Sequence, residues 1–250
     1  MKFGRRSETP AAAQPPGAQK AGIPARLLSQ MIERSTRVQE PAVRAYVARL
    51  RNADPGATPA EIVTRLEKHY LAAVMASGAA VGSAAAFPGI GTLAALSAVG
   101  GETVVFLEAT ALFVLAVADV HGVPVDHHER RRALVLGVLV GDDGKGAIKE
   151  VLGPNRTSGA WLAEAELLPL PVVSQLNSKL MQFFVKKYAL KRGAMAFGKM
   201  LPVGLGAAVG GGGNRFMGKK IIENARAAFG PPPQRWPGQL QLVPPVADAQ

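Results

Sequence analysis

Residues 71–101 read LAAVMASGAAVGSAAAFPGIGTLAALSAVGG, mostly alanine, glycine and aliphatic side chains without one formal charge. The stretch shows no period-2 alternation, so it reads as helix rather than strand. Phe87-Pro88-Gly89-Ile90-Gly91 interrupts it, because proline and two nearby glycines break helices. The next helix is expected over 103–120, ended by Gly122 to Pro124.

The helix entering this stretch has a start signal at Thr58-Pro59-Ala60-Glu61. Thr58 can accept from the Glu61 N–H, Glu61 can reach back to Thr58, and Pro59 suits the first helical position. Ile62, Val63, Leu66 and Tyr70 then share one side. Further upstream, Leu27, Leu28, Met31 and Ile32 mark one amphipathic helix, and Val43, Tyr46, Val47 and Leu50 a second. Downstream, Asp126-His127-His128-Glu129 opens a helix to about Val140. Another helix is expected over 172–188. After a break at Pro202 a last one is expected over 216–229, stopped by Gly230-Pro231. With no hairpin-spaced strands, the expected fold is all-α: a single helical domain with Gly/Ala-rich apolar helices. The expected divisions are a disordered tail over 1–22, basic amphipathic helices over 23–57, the main helical domain over 58–230, and a disordered Pro-rich tail over 231–250. Trp236 in that tail is expected in a solvated linker.

The net charge of +11 is unevenly spread. Lys and Arg crowd 1–51 and 179–226, whereas between Lys68 and Arg130 there are only acids: Glu102, Glu108, Asp119, Asp126 and Glu129. A neutral-to-acidic apolar middle between basic ends suits a protein whose positive flanks stay on the cytoplasmic side of a membrane. It suits specific nucleic-acid recognition less well. The apolar share of 48% and the mean hydropathy of +0.14 are high for a soluble chain and low for a polytopic membrane protein. No cysteine is present, which excludes disulfides, thiol nucleophiles and Cys-ligated zinc together. The basic start lacks an apolar stretch behind it and does not read as a signal peptide.

Motifs that could carry chemistry fail on spacing. Gly89-x-Gly91-x-x-Ala94 lacks the preceding strand a dinucleotide site needs. Gly141-Asp142-Asp143-Gly144-Lys145-Gly146 misses the phosphate-loop spacing and reads as a solvated turn. His121, His127 and His128 are not spaced to converge on a metal. The sequence thus points away from an enzyme, with no catalytic, cofactor-binding or metal-ligating residue and no cofactor expected.

Two features merit a structural expectation. Gly78, Gly82 and Ala86 form a small-residue ridge on one helix face, where two backbones can approach closely; Gly206 and Gly210 are the expected partners, joining the two halves of the chain. Glu108 and Asp119 lie within about 20° of one another around their helix and about 16 Å apart along it, too far for joint acid–base work. Either both are buried acids facing a protein interior or a partner, or they are ordinary surface acids. If Glu108 is buried, its cationic partner is expected in the basic segment 179–199.

Three blocks resemble the EcsC family of bacterial proteins: Pro88-Gly89-Ile90-Gly91-Thr92; the stretch from Glu108, EATALFVLAVADVHGVPVDHHERRRALVLGVLVGD; and that from Leu201, LPVGLGAAVGGGGNRFMGKKIIENARAAFG. The resemblance covers roughly residues 60–230, and the order of the blocks carries it more than any one of them. It implies a mainly helical, membrane-associated protein of the bacterial cytoplasmic face, accessory to transport or secretion, and no catalytic residues to carry over. The expected partners are membrane lipids and a membrane protein. On hydropathy, a hairpin dipping into one leaflet fits better than two independent spans. The rival expectation is a soluble helical module for acidic partners, either nucleic acid or anionic lipid.

Overall fold

The computed structural model describes residues 25–36, 40–84, 92–153, 168–196 and 205–237. The described residues are helical with no strand: α1 (Ala25–Ser35), α2 (Glu40–Ala53), α3 (Pro59–Ala84), α4 (Thr92–Val120), α5 (His128–Val140), a 3₁₀ turn at Gly141–Gly144, α6 (Lys145–Leu152), α7 (Leu170–Ala196) and α8 (Leu205–Phe229). The all-α expectation holds. The interruption at 87–91 and most of the two tails lie outside the described residues.

α4 is the axis of the bundle. Leu107, Ala111, Val114, Leu115, Ala116 and Ala118 are fully buried, so its apolar character all round is that of a core helix. α3, α5, α1 and α2 pack around it, α8 lies along α3, and α7 covers α5 and α6. Ile32 of α1 and Val43 and Val47 of α2 belong to the same core as Leu115 and Leu176, so the basic N-terminal helices are part of the one domain. Arg131 helps close that junction. Its Nη1 donates to the carbonyls of Val125 and Asp126 at 2.7 and 2.9 Å, and its Nε to Thr36 O at 3.4 Å.

The start of α3 is built as its sequence predicts. Glu61 N–H donates to Thr58 Oγ1 at 3.3 Å, while Thr58 N–H and Oγ1 donate to Glu61 Oε2 at 2.8 and 3.0 Å. The Thr58 backbone bond first, and its hydroxyl second, hold the Glu61 carboxyl below its ordinary range. A depressed folded-state value stabilises above the unfolded carboxylate value and is lost as pH falls through the folded one. Thr58→Ala should cost about 1 kcal/mol at neutral pH. The gap to the parent should narrow in acid, and chemical denaturation at neutral and acid pH checks both.

Several expectations shift. α4 begins at Thr92, not near 103, and α8 at Leu205, not near 216, so four consecutive glycines, Gly210 to Gly213, sit inside a continuous helix. Each glycine costs roughly 0.5–1 kcal/mol against alanine in a helix interior. Packing of α8 along α3 offsets this. α7 extends beyond Tyr188 to Ala196. His127 occupies the cap of α5 without a side-chain cap bond; Asp126 Oδ1 accepts instead from His127 N–H at 2.9 Å. Residues 141–146, expected as a solvated turn, instead form a 3₁₀ turn with Gly144 buried and then the start of α6.

The C-terminal tail is also corrected. Residues 231–237 lie on the body rather than trailing in solvent. Trp236 Nε1 donates to Ala57 O at 3.1 Å, and the Arg51 guanidinium sits 3.9 Å from the centre of its ring. Pro237 crosses Gly122 so closely that a Cβ on Gly122 would come within 2.9 Å of it. A half-buried indole with a donor partner and a stacked cation is a docking anchor, not part of a linker.

Candidate functional site

The features that bear on function lie along the three-helix unit of α3, α4 and α8, and its antiparallel register sets them out in order. At the lower level Glu67, almost fully buried, accepts from Arg226 Nε at 2.6 Å and Nη2 at 2.5 Å. A bidentate pair of this kind fixes α8 against α3. The hydrogen bond from Arg226 and then the charge of Glu67 push the guanidinium pKa above its ordinary value.

One turn higher, Tyr70 crosses to α4. Its hydroxyl meets Thr110 Oγ1 at 2.9 Å, Thr110 donates to Phe106 O at 2.7 Å, and the ring stacks on Phe113 with centroids 4.7 Å apart. Burial pushes the phenol above its ordinary range, and the Thr110 bond only partly opposes this. Above that, Gly218 lets α8 approach α3: a Cβ there would lie 3.0 Å from both Leu71 Cδ1 and Val74 Cγ2. Asn214 Nδ2 donates to Val74 O at 2.8 Å. The described close approach of the two helices is therefore at Gly218. Gly78 is buried on α3. Gly82, Gly206 and Gly210 lie within helices but outside the residues whose contacts are described, and Ala86 lies outside the described residues.

Toward the upper end of the bundle each of the three helices finishes in an uncharged stretch, which on α4 begins only past the buried Glu102. These stretches are 75–84 of α3, 92–101 of α4 and 205–213 of α8. On the outer side of α3 the residues change from Glu61, Arg65 and Lys68 to the exposed Ala72, Ala73, Ala76 and Ala80. Just below the uncharged end, α8 exposes Arg215, Phe216, Lys219 and Lys220 on one side, and Phe216 is 72% exposed, the most exposed of the large apolar side chains described.

At the opposite end, a cavity of about 370 Å³ opens between α3, α4, α8 and the segment following α8. Val63, Phe113, Val117 and Phe229 supply apolar wall, and the Glu67–Arg226 pair and His121 supply polar atoms.

Glu108 is not a buried acid. Its side chain is 44% exposed and lies 3.6 Å from Arg34 Nε of α1, so its cationic partner comes from the N-terminal helix rather than from 179–199. Lys179 instead bonds Glu150 at 2.7 Å. Asp119, near the end of α4, is half-buried. The buried acids that matter are Glu67 and Glu102. Glu67 could be suspected from the sequence, because it shares the apolar side of α3 with Val63 and Tyr70. Among the described residues no three His, Asp or Glu side chains are grouped to hold a metal.

One described helical stretch, Gly101–Val120, is long and apolar enough to cross a membrane, and 67% of its most apolar part is buried inside the protein. A scan against protein-family models, a search of curated proteins and a search of solved structures each returned no match.

Proposed function

We propose that the protein is a membrane-associated helical protein that seats the uncharged end of α3, α4 and α8 in one leaflet, with its basic residues at the headgroups. The observation that carries this reading is the shared end, the C-terminus of α3 and the N-termini of α4 and α8, at which the three helices lose their charges. The uncharged stretches of nine or ten residues are each about 14–15 Å long, about half of a roughly 30 Å hydrocarbon core. Depth and dip therefore match without any helix having to leave the bundle. α4 alone as a span would expose to lipid a helix whose buried face is the protein's own core, and Glu102 and Glu108 would go with it.

Phe216 between Arg215 and Lys219 supports the same orientation. A phenyl ring flanked by cations can bury itself just below the headgroups, and each Lys or Arg near an anionic surface is worth about 1 kcal/mol. The orientation agrees with the EcsC-like resemblance, which adds the cytoplasmic face and an accessory role in transport or secretion. Membrane lipids are the first partner on this reading, and a membrane protein the second.

Flotation with phosphatidylcholine vesicles, with and without phosphatidylglycerol, tests it. The protein should float with both, more strongly with the anionic lipid, and part of the binding should survive high salt. Phe216→Ser should weaken binding roughly tenfold, about 1.4 kcal/mol, within what partial burial of a phenyl ring supplies. Salt-sensitive binding to DNA with no flotation would instead favour the soluble module for acidic partners.

A further inference from the structure

We propose that the cavity at the far end of the three-helix unit binds a small apolar carboxylate, with its apolar body inside and its carboxylate at the mouth, on the edge of Arg226 that Glu67 leaves open. This goes beyond membrane seating and does not depend on it.

The walls decide the body of the ligand. A cavity of about 370 Å³ is at the small end of ligand pockets, enough for a substituted ring and too little for a long acyl chain. Val63, Phe113, Val117 and Phe229 make its walls apolar. Gly230, at φ +79°, ends α8 and turns the chain so that Pro231 and Pro232 border the cavity. That segment is held from beyond by Trp236 on Ala57 and Arg51 and by Pro237 on Gly122, so the cavity is shaped before any ligand arrives.

Arg226 decides the head group. A guanidinium carries five N–H donors in one plane. Glu67 engages one on Nε at 2.6 Å and one on Nη2 at 2.5 Å. Both Nη1 hydrogens and the second on Nη2 are left, and no partner for them is found among the described residues. Arg226 borders the cavity while its side chain is 66% exposed, so the guanidinium stands at the mouth, open to solvent. The Nη1–Nη2 edge matches the two oxygens of a carboxylate as the Nε–Nη2 edge matches those of Glu67. A ligand carboxylate therefore adds to the Glu67 pair instead of displacing it.

The rest of the rim leaves this role to Arg226. Thr64 Oγ1 donates to Ala60 O at 2.9 Å, Gly230 N–H donates to Arg226 O at 3.0 Å, and Pro231 and Pro232 have no N–H. Glu67, the acid among these wall residues, is almost fully buried, so the accessible charge at the mouth is positive.

The test is calorimetric titration of the full chain with 4-propylbenzoate, with its uncharged amide, and with acetate. The benzoate should bind about tenfold more tightly than the amide, because its bonds to Arg226 join two charged groups. Acetate, which has no apolar body to bury, should show no measurable binding. Arg226→Lys keeps a cation for Glu67 but lacks the second edge of the fork, so benzoate and amide should then bind within about twofold of each other. Ala60→Phe, at an exposed wall position, should block both with an unchanged thermal midpoint, and it locates the site whether or not the lysine variant folds. Amide binding as tight as the benzoate's, a benzoate preference undiminished in Arg226→Lys, binding that survives Ala60→Phe, or no benzoate binding to the folded parent protein would each overturn the proposal.

Discussion

Gly141→Ala should lower stability by about 3–5 kcal/mol, a large share of the 5–15 kcal/mol typical of a domain. Gly141 ends α5 at φ +60°, ψ −137°, a conformation that side chains with a Cβ rarely adopt and that costs on the order of 1–3 kcal/mol when forced. There is also no room. A Cβ would sit 2.3 Å from Asn224 Nδ2 and 2.5 Å from its Cγ. Asn224 is buried on α8, and its Nδ2 donates to Val138 O of α5 at 2.9 Å. Displacing it breaks the bond that ties α8 to α5 and leaves a buried amide unpaired, worth another 1–3 kcal/mol or so. In a chain of this size the thermal midpoint should fall by about 6–20 °C. Combining Gly141→Ala with Asn224→Ala relieves the clash but not the backbone strain, so the double variant should lose less than the sum of the two singles. A single variant within about 1 kcal/mol of the parent would show that the turn relaxes around the methyl group.

Ala80→Arg should leave the protein's stability in water almost unchanged and reduce its binding to vesicles ten- to a hundredfold. Ala80 is exposed on α3 within the uncharged end, so an arginine there meets solvent in the free protein. In the seated protein it would enter hydrocarbon, where an arginine costs about 2.5–3.5 kcal/mol at mid-membrane and less where it can reach the headgroups. Ala80→Ser is the control, because it changes polarity without charge. Flotation read beside a thermal melt separates the two effects. Unreduced flotation of the folded arginine variant would place this end of the bundle outside the lipid.

Much of the fold is legible in the chain because its causes are local. Thr58 to Glu61 starts a helix whatever lies elsewhere, since the cap bonds join residues three apart. The apolar sides of α1, α2 and α3 follow from the 3.6-residue period, and the residues they bring inward, Ile32, Val43, Val47, Ile62 and Leu66, are buried. The loss of charge after Lys68 is likewise on the page before any coordinates.

What fails is whatever a distant helix decides. The last helix is expected only from 216, yet α8 begins at Leu205 and runs through four consecutive glycines, because lying along α3 outweighs their poor helix propensity. The close approach of α8 to α3 at Gly218 is not foreseen, since its position opposite Leu71 and Val74 depends on a register no local pattern encodes. Trp236 in a proline-rich tail looks solvated until the Ala57 carbonyl and Arg51 stand beside it.

By itself, the sequence determined that the fold is all-α, where most of its described helices lie, and that its positive charges avoid the middle of the chain. Those properties arise from contacts within a few residues and from composition. Only the tertiary structure decided that three uncharged helix ends share one end of the bundle, that Arg34 reaches Glu108, and that Glu67, Arg226 and His121 edge one cavity. Each of these joins residues on separate helices, Glu67 and Arg226 being 159 positions apart. Such pairings are set by how whole helices pack, and no window along the chain contains both partners.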